Sequence, residues 1–422
     1  MLPHTDLVVT GHPIDVRAPD PVADAIDDVV PGIVVEPHTR EGVAATLAWA
    51  SKQGLSLVMR GAGSKIAWGR RPHRVDVILS TRKLNAILAH RAGDLTVSVA
   101  AGVALGELNQ VMAGHGQWLA LDPPFGDRAT IGGLLATNDS GPHRHRFGTP
   151  RDLVIGIHLA TPDGLVTKAG GQVVKNVAGY DLSKLVSGSF GELAAIVGAT
   201  FKLSPLPGAS STVLVEALDS ATLARIASSV ASTQLEPVAF EFHARPGAPG
   251  DAPTACLLRF ASLAVAVDAQ VSAASACLGS LGASVRVLTG DAEVELWRRH
   301  SARLWDSSGA IVRGSWLPAD LGVMLDLLEH MADGIAVEAV GRVGVGSGLI
   351  RLDGDVARQA AAIEQMRRSS TIGNVVLIRA TRELKSAVDV WGPQSQARLL
   401  GSVKRAFDPN SVLGAGRGPL GP

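Results

Sequence analysis

From Arg40 to Gln53 the apolar positions Val43, Leu47 and Ala50 recur at helical spacing, with Thr39 as N-cap and Gly54 as stop, so the pattern predicts a helix. Leu55–Met59 reads as a short buried strand running into a glycine loop. Strands are also predicted at Val75–Leu79 and, by alternation, at Leu95–Val99, followed by a helix through Leu105, Leu108 and Met112. This exchange of helix and strand favours an α/β arrangement for the first stretch. Leu153–Ala160 and Leu165–Thr167 flank Pro162-Asp-Gly164 and give a hairpin signal. A short helix at Leu182–Val186 and a strand at Ile196–Leu203 follow. Pro205 and Pro207 then place a boundary near residue 208.

Beyond Ser211 the grammar changes. Thr212–Glu216 is strand-like, Ser220–Ser232 helical and Val238–His243 strand-like. Ala255–Phe260, Ala264–Gly282 and Ser284–Leu288 repeat strand, helix, strand. The succession predicts a ferredoxin-like βαββαβ layer. A second round is predicted from Ile311–Leu317, Ala319–Met331, Gly334–Val340, Gly348–Leu352, Val356–Arg368 and Val375–Arg379. Ser395–Phe407 reads as a closing basic helix.

Composition narrows the function. Hydrophobic residues make up 46% and charged ones 18% of 422 residues, which excludes a dominantly disordered chain and favours two domains or more. Lys+Arg and Asp+Glu both number 39, so no basic surplus exists for nucleic acid. No apolar run approaches the ~20 residues of a membrane helix. Met1–Asp20 has no basic start followed by an apolar stretch, so no secretory leader is expected. Cys256 and Cys277 are the only cysteines, too few for a disulfide framework or a four-thiolate cluster. Glycine is the informative excess: 47 residues, above the usual ~7%.

Two glycine-rich loops carry the candidate chemistry. In Arg60-Gly-Ala-Gly-Ser-Lys65, glycines after a strand let successive N–H groups converge on an anion such as a pyrophosphate. The same G-x-G also serves any tight turn, and it is neither a Walker loop nor a G-x-G-x-x-G fingerprint. The second, Asp122–Gly148, contains Asp122-Pro-Pro124, Thr130-Ile-Gly-Gly133 and Asn138-Asp-Ser-Gly141. Together the loops suit a dinucleotide clamped from two sides; otherwise Gly132-Gly133 serves helix packing.

These segments, with Gly171–Leu185, Gly188-Ser-Phe-Gly191 and the tail Phe407–Arg417, resemble the FAD-binding family of the p-cresol methylhydroxylase/vanillyl-alcohol oxidase type. The resemblance implies an α+β fold: a two-part FAD-binding domain over residues 1–208 (subdomains about 30–120 and 121–208), a ferredoxin-like α+β cap over 209–390, and a segment 391–422 returning to the FAD domain. It implies that Arg60, Gly61, Ala62, Gly63, Ser64 and Lys65 line the pyrophosphate. Pro123, Pro124, Thr130, Gly132, Gly133, Asn138, Ser140 and Gly141 would form the second wall, and Ala195 and Ile196 would present main chain to the flavin nucleotide. Members that attach FAD covalently through the first loop carry a histidine there. Ser64-Lys65 offers none, so FAD is expected to be noncovalent.

The resemblance further implies the FAD-binding subunit of a glycolate oxidase-like 2-hydroxy acid dehydrogenase complex. Such a complex oxidises glycolate or lactate to the 2-oxo acid with a larger histidine-motif flavoprotein and an iron–sulfur subunit. The alternatives are a stand-alone FAD-dependent dehydrogenase and a flavin-free scaffold. The expected location is cytoplasmic, or the inner face of a membrane through partners.

Departures and remaining candidates complete the reading. Ala194 replaces the glycine usual in the motif before residue 196, and Gly414-Ala415 replaces Asn-Pro in the tail. Neither H-x-G-D-G-N-x-H nor E-H-G is present. His243, His300 and His330 have no ligand spacing, so no metal is expected, and catalytic residues stay unassigned. His143 and His145 read as surface or phosphate-proximal groups, and His115 as a helix terminus. Arg313 and Arg342 are expected at strand starts, either solvated or forking a substrate carboxylate. Lys175, Asn176, Tyr180 and Asp181 read as a structural turn. Trp297, Trp305, Trp316 and Trp391 read as core anchors, and both cysteines as buried structural thiols.

Overall fold

A computed structural model describes residues 11–171, 181–246, 254–331 and 334–420. The chain divides into two compact units. One holds the residues up to Ser140, Gly148–Leu206 and the tail from Gln394; the other holds Gly141–Phe147 and Pro207–Pro393.

In the first unit, strands β1 (Ile14–Arg17), β2 (Ile33–Pro37), β3 (Leu57–Arg60) and β4 (Val77–Ser80) form a sheet in the order β1-β2-β4-β3. β2, β4 and β3 run parallel, and β1 pairs antiparallel with β2. The parallel register requires a crossover, supplied by the helix Arg40–Gln53. Thr39 Oγ1 accepts the Gly42 N–H at 3.0 Å, and Gly54 ends the helix at a φ of +63°. Val43, Leu47 and Ala50 are fully buried against this sheet with Val35, Leu57 and Val77.

The second sheet joins β5 (Ile87–Arg91), β6 (Thr96–Ala100), β8 (Val154–Ala160), β9 (Val166–Gly170) and β10 (Ala195–Lys202) in the order β5-β6-β10-β8-β9. The short pieces β7 (Gln117–Trp118) and β11 (Ser204–Pro205) pair separately. Here the α/β expectation holds only for the small sheet. The larger one is antiparallel throughout. Tight connections such as Pro162-Asp-Gly164 reverse the chain at once and leave no length for a crossover.

The tail returns to this unit. The Leu57 N–H donates to the Val412 carbonyl at 2.8 Å. Lys404, on the helix Ala397–Phe407, is buried and donates to the carbonyls of Glu192 and Leu413, at 2.9 Å each. Glu192 accepts from the N–H groups of Gly418 and Leu420 at 3.0 and 2.8 Å.

The second unit contains β12 (Ala209–Leu218), β13 (Ala239–Ala244), β14 (Thr254–Ser262), β15 (Val285–Thr289), β16 (Ala310–Ser315), β17 (Ala336–Arg342), β18 (Ser347–Asp353) and β19 (Gly373–Arg379). Their order is β15-β12-β14-β13-β17-β18-β16-β19, with antiparallel neighbours. Each half is a βαββαβ layer of the predicted kind, and the two halves fuse into one sheet through β13 and β17. Gly341 faces Gly348 across β17 and β18, and the Trp316 indole fills the space a side chain would take: a Cβ on Gly348 would lie 2.8 Å from its ring. Trp316 is therefore the core anchor expected. Trp297 is too, its Nε1 donating to Thr212 Oγ1 at 2.8 Å. Cys256 is buried, whereas Cys277 is half-buried beside Ser229 rather than fully enclosed. No helix among the described residues is long and apolar enough to cross a membrane.

Candidate functional site

The first glycine loop begins where β3 ends. Arg60 is held by Asp24, Nη2 to Oδ1 at 2.7 Å. Hydrogen bonds from Arg17, the Asp20 N–H and Arg60 outweigh burial and hold the Asp24 carboxyl far below the usual carboxylate range. Gly63 takes a φ of +76°, which lets the chain turn back before Ile66. The second loop ends at Thr130, immediately before the helix Ile131–Thr137.

The loops meet at Gly61. A Cβ there would lie 2.0 Å from Thr130 Oγ1 and 3.1 Å from Thr130 Cβ, so only glycine permits this approach. Between the loops lies an open cleft, lined by Arg60 to Lys65, Thr130, Gly133, Thr137, Phe190 and Arg417 among others. Its charged wall is cationic: among the described residues Arg60, Lys65 and Arg417 line it and no carboxylate does. The Thr130 hydroxyl and the Lys65 ammonium are buried without a hydrogen-bond partner. Unspent polar atoms, cations and bare main chain along one cleft fit a diphosphate.

The structure sorts the expected site residues. Arg60, Gly61, Ala62, Gly63, Ser64, Lys65, Thr130 and Gly133 come together. Gly132 does not line the cleft. Its N–H donates to the Ala101 carbonyl at 2.8 Å, and a Cβ would press on Ala101 at 3.0 Å, so it serves packing. Pro123 and Pro124 also lie outside the lining. Asn138 closes the helix at a φ of +45°, its Oδ1 accepting from the Arg151 N–H at 3.1 Å. Ser140 is buried at the end of the first unit, and Gly141 belongs to the second, where its carbonyl accepts from Arg342 Nε at 3.2 Å. Ala195 and Ile196 are interior ladder residues of β10, opposite Ala160 and Leu159.

Two wall residues escaped the sequence reading. Phe190, at a φ of +54°, lines the cleft, and its N–H donates to the Ala136 carbonyl at 2.8 Å. Arg417 arrives from the tail, donating to the carbonyls of Ile66 and, at 2.7 Å, Trp68. Burial, partly offset by Asp27 and Glu192, pushes its pKa down to about 10. The only signal for either lay in motifs already quoted, Gly188–Gly191 and Phe407–Arg417, whose contacts no spacing reveals.

Other candidates resolve differently. Arg342 ends β17 rather than starting a strand, and Arg313 lies inside β16. Arg342 is 8% exposed and 3.7 Å from Glu241, so it is not a solvated arginine. Asp181 caps the helix Leu182–Val186, accepting from the Lys184 N–H; Lys175, Asn176 and Tyr180 lie outside the described residues. Among the described residues no three His, Cys, Asp or Glu side chains gather to hold a metal.

His143 and His145 are not surface groups. They stand on the short helix Arg144–Phe147 and the residue before it, in the second unit. Burial, with a smaller contribution from Arg259, pulls the His143 pKa down to about 3. An unfolded chain takes up that proton from about pH 6.5, so this stabilisation is complete above pH 6.5 and is lost progressively toward pH 3. In acid denaturation, His143→Gln is expected to flatten the loss of stability between pH 6 and 4, as measured by urea midpoints at each pH. An unchanged acid limb would assign the lability to other groups.

The mixed two-sheet unit with its cationic, glycine-walled cleft has the fold of an FAD-binding domain of the p-cresol methylhydroxylase type. Residues 31–170 match the family described as FAD binding domain. The chain is 35% identical over 174 residues to D-lactate dehydrogenase of Archaeoglobus fulgidus, covering 41% of this chain and 39% of that protein. It is 30% identical over 219 residues to glycolate oxidase subunit GlcD of Bacillus subtilis (51% and 46%). It is 34% identical over 183 residues to glycolate oxidase subunit GlcE of Escherichia coli (43% and 51%). The chain thus spans about half or less of the length of these relatives. An alkyldihydroxyacetonephosphate synthase structure shares the fold at a TM-score of 0.69 and 18% identity, over 91% of this chain and 76% of that one.

Proposed function

We propose that this chain is the FAD-binding subunit of a glycolate oxidase-like 2-hydroxy acid dehydrogenase complex. Oxidation of glycolate or lactate would occur mainly in a larger histidine-motif flavoprotein partner, and electrons would then pass to an iron–sulfur partner, with this chain supporting the transfer. The observation that carries the reading is the meeting of the two glycine loops at Gly61 and Thr130. Relatives named for glycolate and D-lactate oxidation support the substrate class.

FAD bound here would supply the redox chemistry of an electron carrier. The chain's own contribution is placement. Arg60, Lys65 and Arg417 balance the diphosphate charge. With no histidine in the first loop, retention rests on these noncovalent contacts. Two cysteines cannot hold a four-thiolate cluster, which is why the iron–sulfur centre is assigned to a partner.

The test is a spectrum. Purified chain is expected to show flavin absorption that acid precipitation releases, and glycolate is expected to bleach it under anaerobic conditions only when partner chains are added. Bleaching of the isolated chain would favour the stand-alone dehydrogenase. A colourless preparation that takes up no supplied FAD would leave the scaffold.

A further inference from the structure

Lys65 of the first glycine loop and Asp139, just beyond the helix Ile131–Thr137, form a buried contact behind the cleft wall. Nζ lies 3.2 Å from Oδ2, with side chains 7% and 9% exposed. The pair lacks hydrogen-bond geometry: neither Nζ nor Oδ2 has a hydrogen-bond partner. The carboxylate therefore neutralises the ammonium without consuming its three donors. A dry ammonium with unspent donors is costly unless an acceptor arrives. The cleft's other cations differ, since Arg60 is close-paired with Asp24 and Arg417 donates to two carbonyls. Asp139 is itself aimed by its neighbour, because Asn138 closes the helix in a left-handed conformation pinned by the Arg151 N–H.

We propose that Asp139 is a positioning residue for the cofactor: it holds the Lys65 ammonium in the cleft wall so that the free N–H groups donate to the diphosphate. The proposal rests on the FAD reading of the cleft. A carboxylate beside an anion site is tolerated because it acts through the lysine. It keeps a cation stored in a dry wall, where an unpaired ammonium would not stay.

Titration of flavin-stripped full chain with FAD and with ADP tests this. Asp139→Asn and Lys65→Gln are each expected to weaken both ligands about tenfold, the worth of one charge-assisted hydrogen bond. The double variant is expected to bind no more weakly than Lys65→Gln, because without its lysine the carboxylate positions nothing and only repels the anion. Asp139→Glu should recover most of the loss. Additive losses in the double variant, or ADP binding that ignores both substitutions, would overturn the proposal. The double variant strands neither charge, so with Asp139→Glu it carries the test if Asp139→Asn fails to fold. Wild-type chain that binds neither FAD nor ADP would instead sink the cleft reading itself.

Discussion

Gly61→Val is expected to abolish FAD retention while leaving a folded chain. Any Cβ at this position falls 2.0 Å from Thr130 Oγ1, 3.1 Å from its Cβ and 3.2 Å from its Cγ2. Rotating the threonine relieves the first contact only, and valine adds two methyls to the collision. The two loops must part, which separates Arg60 and Lys65 from the Thr130 wall they share. FAD affinity is expected to fall about a hundredfold, roughly 3 kcal/mol of lost binding, read as lost flavin absorbance per purified chain. Circular dichroism melting should stay cooperative. Gly133→Val should cost less, because its Cβ would meet the same hydroxyl at 3.3 Å. Gly61→Ala combined with Thr130→Ala should recover part of what Gly61→Ala loses, since the first collision is with the hydroxyl. Full flavin content in Gly61→Val would mean that the loops do not grip the cofactor.

Local signals in the sequence were reliable where one face of an element is apolar. The helix Arg40–Gln53 and both ferredoxin-like rounds are written in such patterns, and the observed helix Val356–Arg368 coincides with its expectation. The helix Gly290–Ala302 was invisible for a physical reason. It buries Glu293, Trp297 and His300, so its inner face is largely polar. Glu293 is held there by Thr212, Ser210 and Arg259, and His300 by Glu241 at 3.2 Å. Apolar periodicity cannot report a face stabilised by hydrogen bonds. β5 was missed likewise, since its residues are half-buried or exposed with no clean alternation.

The candidate site was legible as chemistry but not as geometry. Glycine at 61 was expected to bring main chain to an anion; its first requirement proves to be the side chain of Thr130. Gly132, equally suggestive, is needed against Ala101. Arg417 could not be placed by spacing at all, because it donates to Ile66 and Trp68 from a tail some 350 residues downstream.

That distant arginine couples the tail's anchor to the cleft. Asp408 is fully buried. It accepts from the N–H groups of Val412 and Leu413 at 3.0 and 2.8 Å and from Lys404 Nζ at 2.5 Å. Asp408→Ala strips two buried N–H groups of their acceptor and leaves the Lys404 ammonium with carbonyls alone. Breaking a buried pair in this way costs about 3–5 kcal/mol, a fall in melting temperature of about 10 °C for a unit of this size. Lys404→Met should cost less than Asp408→Ala, since it removes the charge instead of stranding it. The loss should also reach the cofactor. Val412 is bonded to Leu57 in the strand that ends at Arg60, and Arg417 follows five residues later in the cleft wall. Asp408→Ala should therefore lower flavin content at temperatures below its melting transition, and supplied FAD should raise its melting temperature by less than it raises that of the wild type. Equal shifts would show that the tail stabilises the first unit without shaping the cleft.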